Sequence, residues 1–307
     1  MTRIAMMGSG AVGGYFGGRM AAAGCDVTFI ARGAHLAAIR EHGLRIDSAA
    51  QGGTRIHPAT VTDDPGEVGV VDYVIVAVKL WATAAAANAL LPMLGPETTV
   101  LTLQNGVESA ELECVVGPQR MVGSVAFIGC AIAAPGVIRH VGTMQRVVVG
   151  EFGGGSSPRV ERLRAEMERG GIEADVSDDI RRTIWEKFVF LVGLSAATVM
   201  QRAPLGAVRK DPEARDLFLG AMAETAAVGR ARGIALEDGL AQDRLAFADG
   251  LPAEMTSSMH TDLARGNRLE LDWLSGAVVR FGRASGVPTP VNRTVYETLR
   301  PHAAGRR

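Results

Sequence analysis

The stretch that most narrows what this chain can fold into lies at its start: RIAMMGSGAVGGYFGGRMAAAGCDVTFIAR. Ile4 to Met7 is a short apolar strand, Gly8-x-Gly10-x-x-Gly13 follows at once, Ala11 to Ala23 carries helix formers, Gly24 stops the helix, and Val27 to Ile30 returns as β. Three spaced glycines alone constrain little. Placed between a strand and a helix, with a second strand after them, they are the fingerprint of a dinucleotide-binding turn. In that arrangement Gly8 allows the tight turn, Gly10 lets the backbone approach a pyrophosphate, and Gly13 lets helix and strand pack closely. Ser9, Ala11 and Val12 complete the loop, and the helix N-terminus faces the negative charge. A glycine-rich turn in an unrelated α/β protein is the competing reading.

The end of the second strand sets the choice of nucleotide. An acid there would accept hydrogen bonds from the adenosine ribose and repel a 2′-phosphate; this chain has Ala31-Arg32 instead. Arg32 therefore favours NADP(H) over NAD, unless it is an ordinary surface arginine at a strand end. Further on, VVDYVIVAVKLW and TTVLTLQNGVES each read as a parallel strand buried on both faces. Each leaves a functional side chain at its carboxyl end, Lys79 and Asn105, where doubly wound sheets place ligands. Lys79 as a mere cap and Asn105-Gly106 as a mere turn remain open.

GVIRHVGTMQRVVVGEF is expected to form two or three antiparallel strands extending the sheet at its far edge. FGGGSSPRVERL is a loop running into a helix capped at Ser157, with Pro158 at its first position. After EADVSDDIRR the strand signals stop. The fold class expected is therefore α/β, with an N-terminal Rossmann-type dinucleotide-binding domain over residues 1–177 and a C-terminal all-α domain over 178–307. In the second half Pro212 starts a helix, Gly233 ends one, and Gly266 breaks another. Catalytic groups are expected from the cleft of such a pair.

Charge narrows the partners. Lys plus Arg (32) against Asp plus Glu (33) leaves a net charge of −1 with no basic run, so nucleic acid is not expected as a partner. Cys25, Cys114 and Cys130 form no CxxC and are expected in the core of a protein from a reducing cytosol. The N-terminus lacks a signal-peptide core, and the longest nearly apolar run, 13 residues from Phe188 to Met200, is shorter than the roughly 20 that span a bilayer. A cytoplasmic protein with no membrane contact is expected. The six histidines show no ligand spacing, so no metal is expected.

One lysine stands at the mouth of that apolar run, in RRTIWEKFVFLVGLSAATVM. Lys187 could simply lay its stem on Ile184 or Leu191 and reach water. Five segments in order change that reading: GSGAVGG, VKLW around Lys79, LQNGVE around Asn105, WEKF around Lys187, and SSMHTDLARGNRLELDWLSG. Together they resemble the ketopantoate reductase (2-dehydropantoate 2-reductase) family over nearly the whole chain. The last is the most specific, pairing Ser258 with Glu270 twelve positions on.

The resemblance implies that Lys187 is the catalytic lysine, Glu270 its acidic partner at the cofactor, Ser258 a ligand of the substrate carboxylate, and Asn105 a contact of both nicotinamide and substrate. It assigns Arg32 and Lys79 to the adenosine end of NADPH. Residue chemistry agrees: hydride transfer to a 2-oxo acid builds negative charge on the carbonyl oxygen, which a positioned ammonium stabilises and protonates. For Glu270 a helix-surface carboxylate near Arg268 is the plain alternative; for Ser258, burial against a neighbouring helix.

Family asparagines that hold pantoate fall on Leu191, Ser195, Leu205 and Met255 here, leaving the pocket less suited to a hydroxylated substrate. Leu191 and Ser195 are expected to line it. The expected activity is NADPH-dependent reduction of a 2-oxo acid, with ketopantoate the default and a less polar oxo acid the alternative. A non-catalytic NADP-binding sensor and a homodimeric assembly both stay open.

Overall fold

The computed structural model describes residues 1–306. The chain forms two compact units: Met1–Gln104 with Glu108–Thr183, and Asn105–Val107 with Ile184–Arg307. The division thus falls after Thr183, inside a helix, and a three-residue segment from the middle of the first half joins the second unit. Val107 explains the segment, since it packs against the helical core.

The first unit opens with β1 (Arg3–Met7), α1 (Ala11–Ala22), β2 (Asp26–Ile30) and α2 (Gly33–His42). Then come β3 (Leu44–Ser48), β4 (Thr54–Ile56), β5 (Thr60–Thr62), β6 (Tyr73–Val76), α3 (Thr83–Ala89), β7 (Thr99–Thr102) and α4 (Ala110–Val116). Strands β5-β2-β1-β6-β7 make one sheet in that order, every pair parallel. Ile4 lies opposite both Val27 and Tyr73, and Tyr73 to Val76 are wholly buried. That is why these runs are apolar without alternation: neither sheet face meets water. The Rossmann-type half and the helical second half are as the sequence predicts.

The segment after α4 departs from expectation. β8 (Gly123–Ala134) and β9 (Val137–Gly150) form one long hairpin, and Val137–Gly150 is a single 14-residue strand rather than two or three. With β3, β4 and β10 (Glu173–Val176) it builds a second five-stranded sheet instead of extending the first. Gly142, at φ +76, lies where the pairing jumps from Gly129–Val141 to Ile128–Gln145, so residues 142–144 bulge out and the strand continues past them. α5 (Pro158–Arg169) precedes β10, with Ser157 Oγ accepting from the Val160 N–H and Pro158 at the first position, as expected.

The second unit is built from α6 (Ile180–Gln201), α7 (Leu205–Val208), α8 (Pro212–Ala231), α9 (Leu240–Asp249), α10 (Ser258–Arg265), α11 (Ser275–Ser285) and α12 (Pro290–Leu299). Asp211 caps α8 ahead of Pro212, and Gly266, at φ +71, ends α10 where the break is expected. Phe188, Val192 and Ala196 of α6 join Phe218, Met222, Ala277 and Val295 in one core. At Gly193 a side chain would collide with Phe218 and Met222, so α6 and α8 approach closely there.

At 22 residues α6 is long and apolar enough, by length and composition, to cross a bilayer; the 13-residue apolar run understates it because the helix continues back through Lys187 and Arg181. Of its apolar window, 61% is buried within the protein. The cysteines also differ from expectation. Cys25 is buried and burial pushes the Cys130 thiol up to about 12, but Cys114 lies exposed on α4.

Candidate active site

In the first unit the glycine turn leaves β1 at Gly8, whose φ of +98 suits a residue without Cβ. A side chain there would also meet the Val78 nitrogen at 2.8 Å, beyond the end of β6. A Cβ on Gly13 would lie on the Gly8 carbonyl oxygen, so α1 can start this close to the turn only with glycine. A Cβ on Gly10 would meet nothing within 4 Å, so the approach to its backbone is open. Ser9 is buried, its N–H and hydroxyl donating to the Ile30 carbonyl at 3.0 and 3.2 Å, while Ala11 and Val12 begin α1. The first turn of α1 carries no acid. A cradle of main-chain donors at a helix N-terminus suits a pyrophosphate.

Arg32 and Lys79 are both exposed, Arg32 as the residue before α2 and Lys79 at the start of a short turn over Leu80–Ala82. Lys79 Nζ lies 5.7 Å from the Trp81 ring centre. Gln104, just past β7, donates to the Val78 carbonyl at 3.0 Å and Thr83 Oγ1 at 2.8 Å, fixing the segment that carries Lys79. Sequence reasoning passes over Gln104, because nothing local marks a glutamine that reaches back to a neighbouring strand end.

In the second unit Lys187 Nζ donates to Asn105 Oδ1 at 2.9 Å. Burial lowers the lysine to about 8, and the Glu270 carboxylate acts against that by raising it. Glu270 is 7% exposed and precedes the short turn Leu271–Trp273, its carbonyl accepting from the Trp273 and Leu274 N–H groups. The helix-surface reading of Glu270 therefore fails. Three residues far apart in sequence thus form one electrostatic cluster.

Leu191 and Ser195 follow Lys187 at one and two helical turns on the same side of α6. Leu191 is half-buried; Ser195 is 1% exposed and its hydroxyl makes no hydrogen bond among the described residues. Met255 is half-buried, whereas Leu205 is wholly buried in the helical core and presents no surface.

Ser258 is exposed at the first position of α10, so its buried reading fails as well; the buried serine is its neighbour. Ser257 Oγ accepts from the His260 N–H at 3.0 Å and lies 3.0 Å from Thr198 Oγ1, which donates to the Leu194 carbonyl at 2.7 Å. With Thr198's proton committed to Leu194, Ser257 must donate to Thr198. This one-way chain seats the start of α10, and with it Ser258, on α6. Ser257 is legible as a helix cap in SSMH; its tie to Thr198 is not.

The whole chain can be placed among known proteins. Residues 4–154 match the family described as Ketopantoate reductase PanE/ApbA, and residues 179–303 match Ketopantoate reductase PanE/ApbA C terminal. A 2-dehydropantoate 2-reductase from Mesorhizobium japonicum is 35% identical over 99% of this chain and 98% of its own length. Another from Halobacterium salinarum is 34% identical over 97% and 98%. The crystal structure of 2-dehydropantoate 2-reductase from Geobacter metallireducens GS-15 matches with a TM-score of 0.91 at 30% identity, covering 97% of this chain and 99% of that one. D-Mandelate dehydrogenase with NADH and anilino(oxo)acetate shares the fold, with a TM-score of 0.89 at 22% identity over 98% of each chain. Matches to both family segments, in order, and relatives aligned along their full length lead to one assignment: this chain belongs to the ketopantoate reductase family of oxidoreductases.

Proposed function

We propose that the chain reduces a 2-oxo acid to a 2-hydroxy acid with NADPH, Lys187 being the general acid. The observation that carries this reading is the lysine bonded to Asn105 at 2.9 Å and electrostatically opposed by buried Glu270. The glycine cradle, open beside Gly10, fits a dinucleotide, and exposed Arg32 and Lys79 on the same unit fit a 2′-phosphate. The nicotinamide of a dinucleotide so held would supply hydride.

What the chain itself supplies is a proton and a charge. At pKa about 8 the Lys187 amine is protonated in roughly nine of ten molecules at pH 7, yet is a stronger acid than an exposed lysine. Asn105 aims it, the ammonium stabilises charge building on the substrate oxygen, and the proton passes to that oxygen, leaving neutral lysine. Glu270 keeps the lysine from losing its proton too early. Ser258, exposed at the start of α10, would donate to the substrate carboxylate.

Ketopantoate is the default substrate. Leu191 on the Lys187 face of α6 favours a second one, because leucine discriminates weakly among apolar groups where a buried amide would select a hydroxyl. The test is oxidation of NADPH across a panel of 2-oxo acids including ketopantoate and 2-oxoisovalerate. Turnover of both, with kcat/KM values within about 10³-fold, is expected. Dinucleotide binding without turnover of any 2-oxo acid would make the chain a sensor.

A further inference from the structure

We propose that His35 is a positioning residue of the phosphate-binding loop: its ring fixes the Ser9–Gly10 peptide so that the Gly10 N–H is aimed at a bound pyrophosphate. The proposal rests on the dinucleotide reading above. His35 stands in the first turn of α2, and both ring nitrogens are engaged by main chain. The Gly136 N–H lies 3.0 Å from Nδ1, and Nε2 lies 2.8 Å from the Ser9 carbonyl oxygen. A main-chain N–H can only donate, so Nδ1 offers its lone pair and carries no proton. The proton of the neutral ring is then on Nε2, donated to Ser9. Burial pushes the ring's pKa below its ordinary value, which favours this neutral form.

The consequence for the loop is geometric. The Ser9–Gly10 bond is trans, the one cis bond among the described residues being His57-Pro58. In a trans peptide C=O and N–H point in opposite directions. Holding the Ser9 oxygen on His35 therefore turns the Gly10 N–H away from α2. Ser9 has no slack to undo this, because its N–H and hydroxyl are both spent on Ile30. At the far end of the ring, Gly136 sits in the β8–β9 turn with its carbonyl accepting from the Arg45 N–H at 2.9 Å. One imidazole thus ties glycine loop, α2 and hairpin turn together, and a pre-aimed donor loses less on binding than one that must be ordered.

The test uses the full chain with His35→Phe, which keeps a ring but neither nitrogen, and His35→Gln, whose amide can again donate to Ser9. For His35→Phe the expected result is an NADPH Kd and KM raised about tenfold, with kcat at saturating NADPH within about twofold of wild type. His35→Gln should recover most of the affinity. Wild-type NADPH affinity in His35→Phe, or equal loss in both variants, overturns the proposal. Should His35→Phe not fold, nitrogen NMR of the wild-type ring decides: a proton fixed on Nε2 supports the clip, and one on Nδ1 or averaged between them overturns it. A wild-type chain that binds neither NADPH nor NADH removes the dinucleotide reading and this proposal with it; binding with an indifferent His35→Phe removes this proposal alone.

Discussion

In the first unit the candidate pyrophosphate-binding groups are main-chain atoms laid out over six consecutive residues, Gly8 to Gly13, and what matters most is the side chains that are missing. In the second unit they are side chains, and 82 residues separate Asn105 from the Lys187 that bonds to it. A main-chain cradle suits a ligand part that never changes, such as a pyrophosphate. A cluster whose charge is tuned by burial suits a group that must give up a proton in each cycle. The first should therefore be sensitive to added atoms and indifferent to pH, and the second the reverse.

The sharpest way to break that contrast is Lys187→Ala. It should lower kcat by about 10²- to 10⁴-fold while NADPH affinity stays near wild type. Activity within threefold on the best 2-oxo acid would return Lys187 to a snorkelling role. Next comes Arg32→Ala, expected to weaken NADPH about 10- to 100-fold and NADH little, as measured by fluorescence titration of both. Equal losses would show that Arg32 does not read the 2′-phosphate.

The pH profile sharpens the second half of the comparison. With Lys187 as the proposed general acid, kcat/KM should hold steady below about pH 8 and fall by about tenfold per unit above it. Because Glu270 raises that lysine, Glu270→Gln should move the break to lower pH; an unmoved break would detach the two groups.

The smallest effect tests the first half. Gly13→Ala, whose new methyl would meet the Gly8 carbonyl, should cost about 1–3 kcal/mol in a denaturant melt. Gly10→Ala, with nothing of the protein within 4 Å, should leave the melt unchanged and still weaken NADPH. Equal melts for the two would mean the loop is looser than drawn.

The same contrast explains what the sequence could disclose. The glycine turn is legible because strand, turn and helix are contiguous, and Gly8 and Gly13 each answer a local steric demand. The lysine cluster is legible only through resemblance: no periodicity connects Asn105, Lys187 and Glu270, which the folded chain alone brings together. The second strand of the β8–β9 hairpin is expected as two or three because a glycine at positive φ inside a strand bulge looks, in sequence, like a strand end. His35 escapes notice because both its partners are main-chain groups, which leave no mark on side-chain identity.

The hydroxyl chain from His260 through Ser257 and Thr198 to Leu194 makes two positions 59 residues apart a single unit of sequence change. Losing the hydroxyl at 198 strands the Ser257 proton; losing it at 257 strands the His260 N–H. The first costs about 1–3 kcal/mol for the buried group left unpaired; the second removes a helix cap, worth about 0.5–2 kcal/mol. Threonine and serine can trade places at either position; an apolar residue at 198 strands a proton that is removed if 257 turns apolar too, whereas an apolar residue at 257 leaves Thr198 bonded to Leu194 and asks only for another cap on α10. Drift along this chain's lineage should therefore seldom pair an apolar residue at 198 with a hydroxyl at 257, and a library randomised at both should return that combination least often.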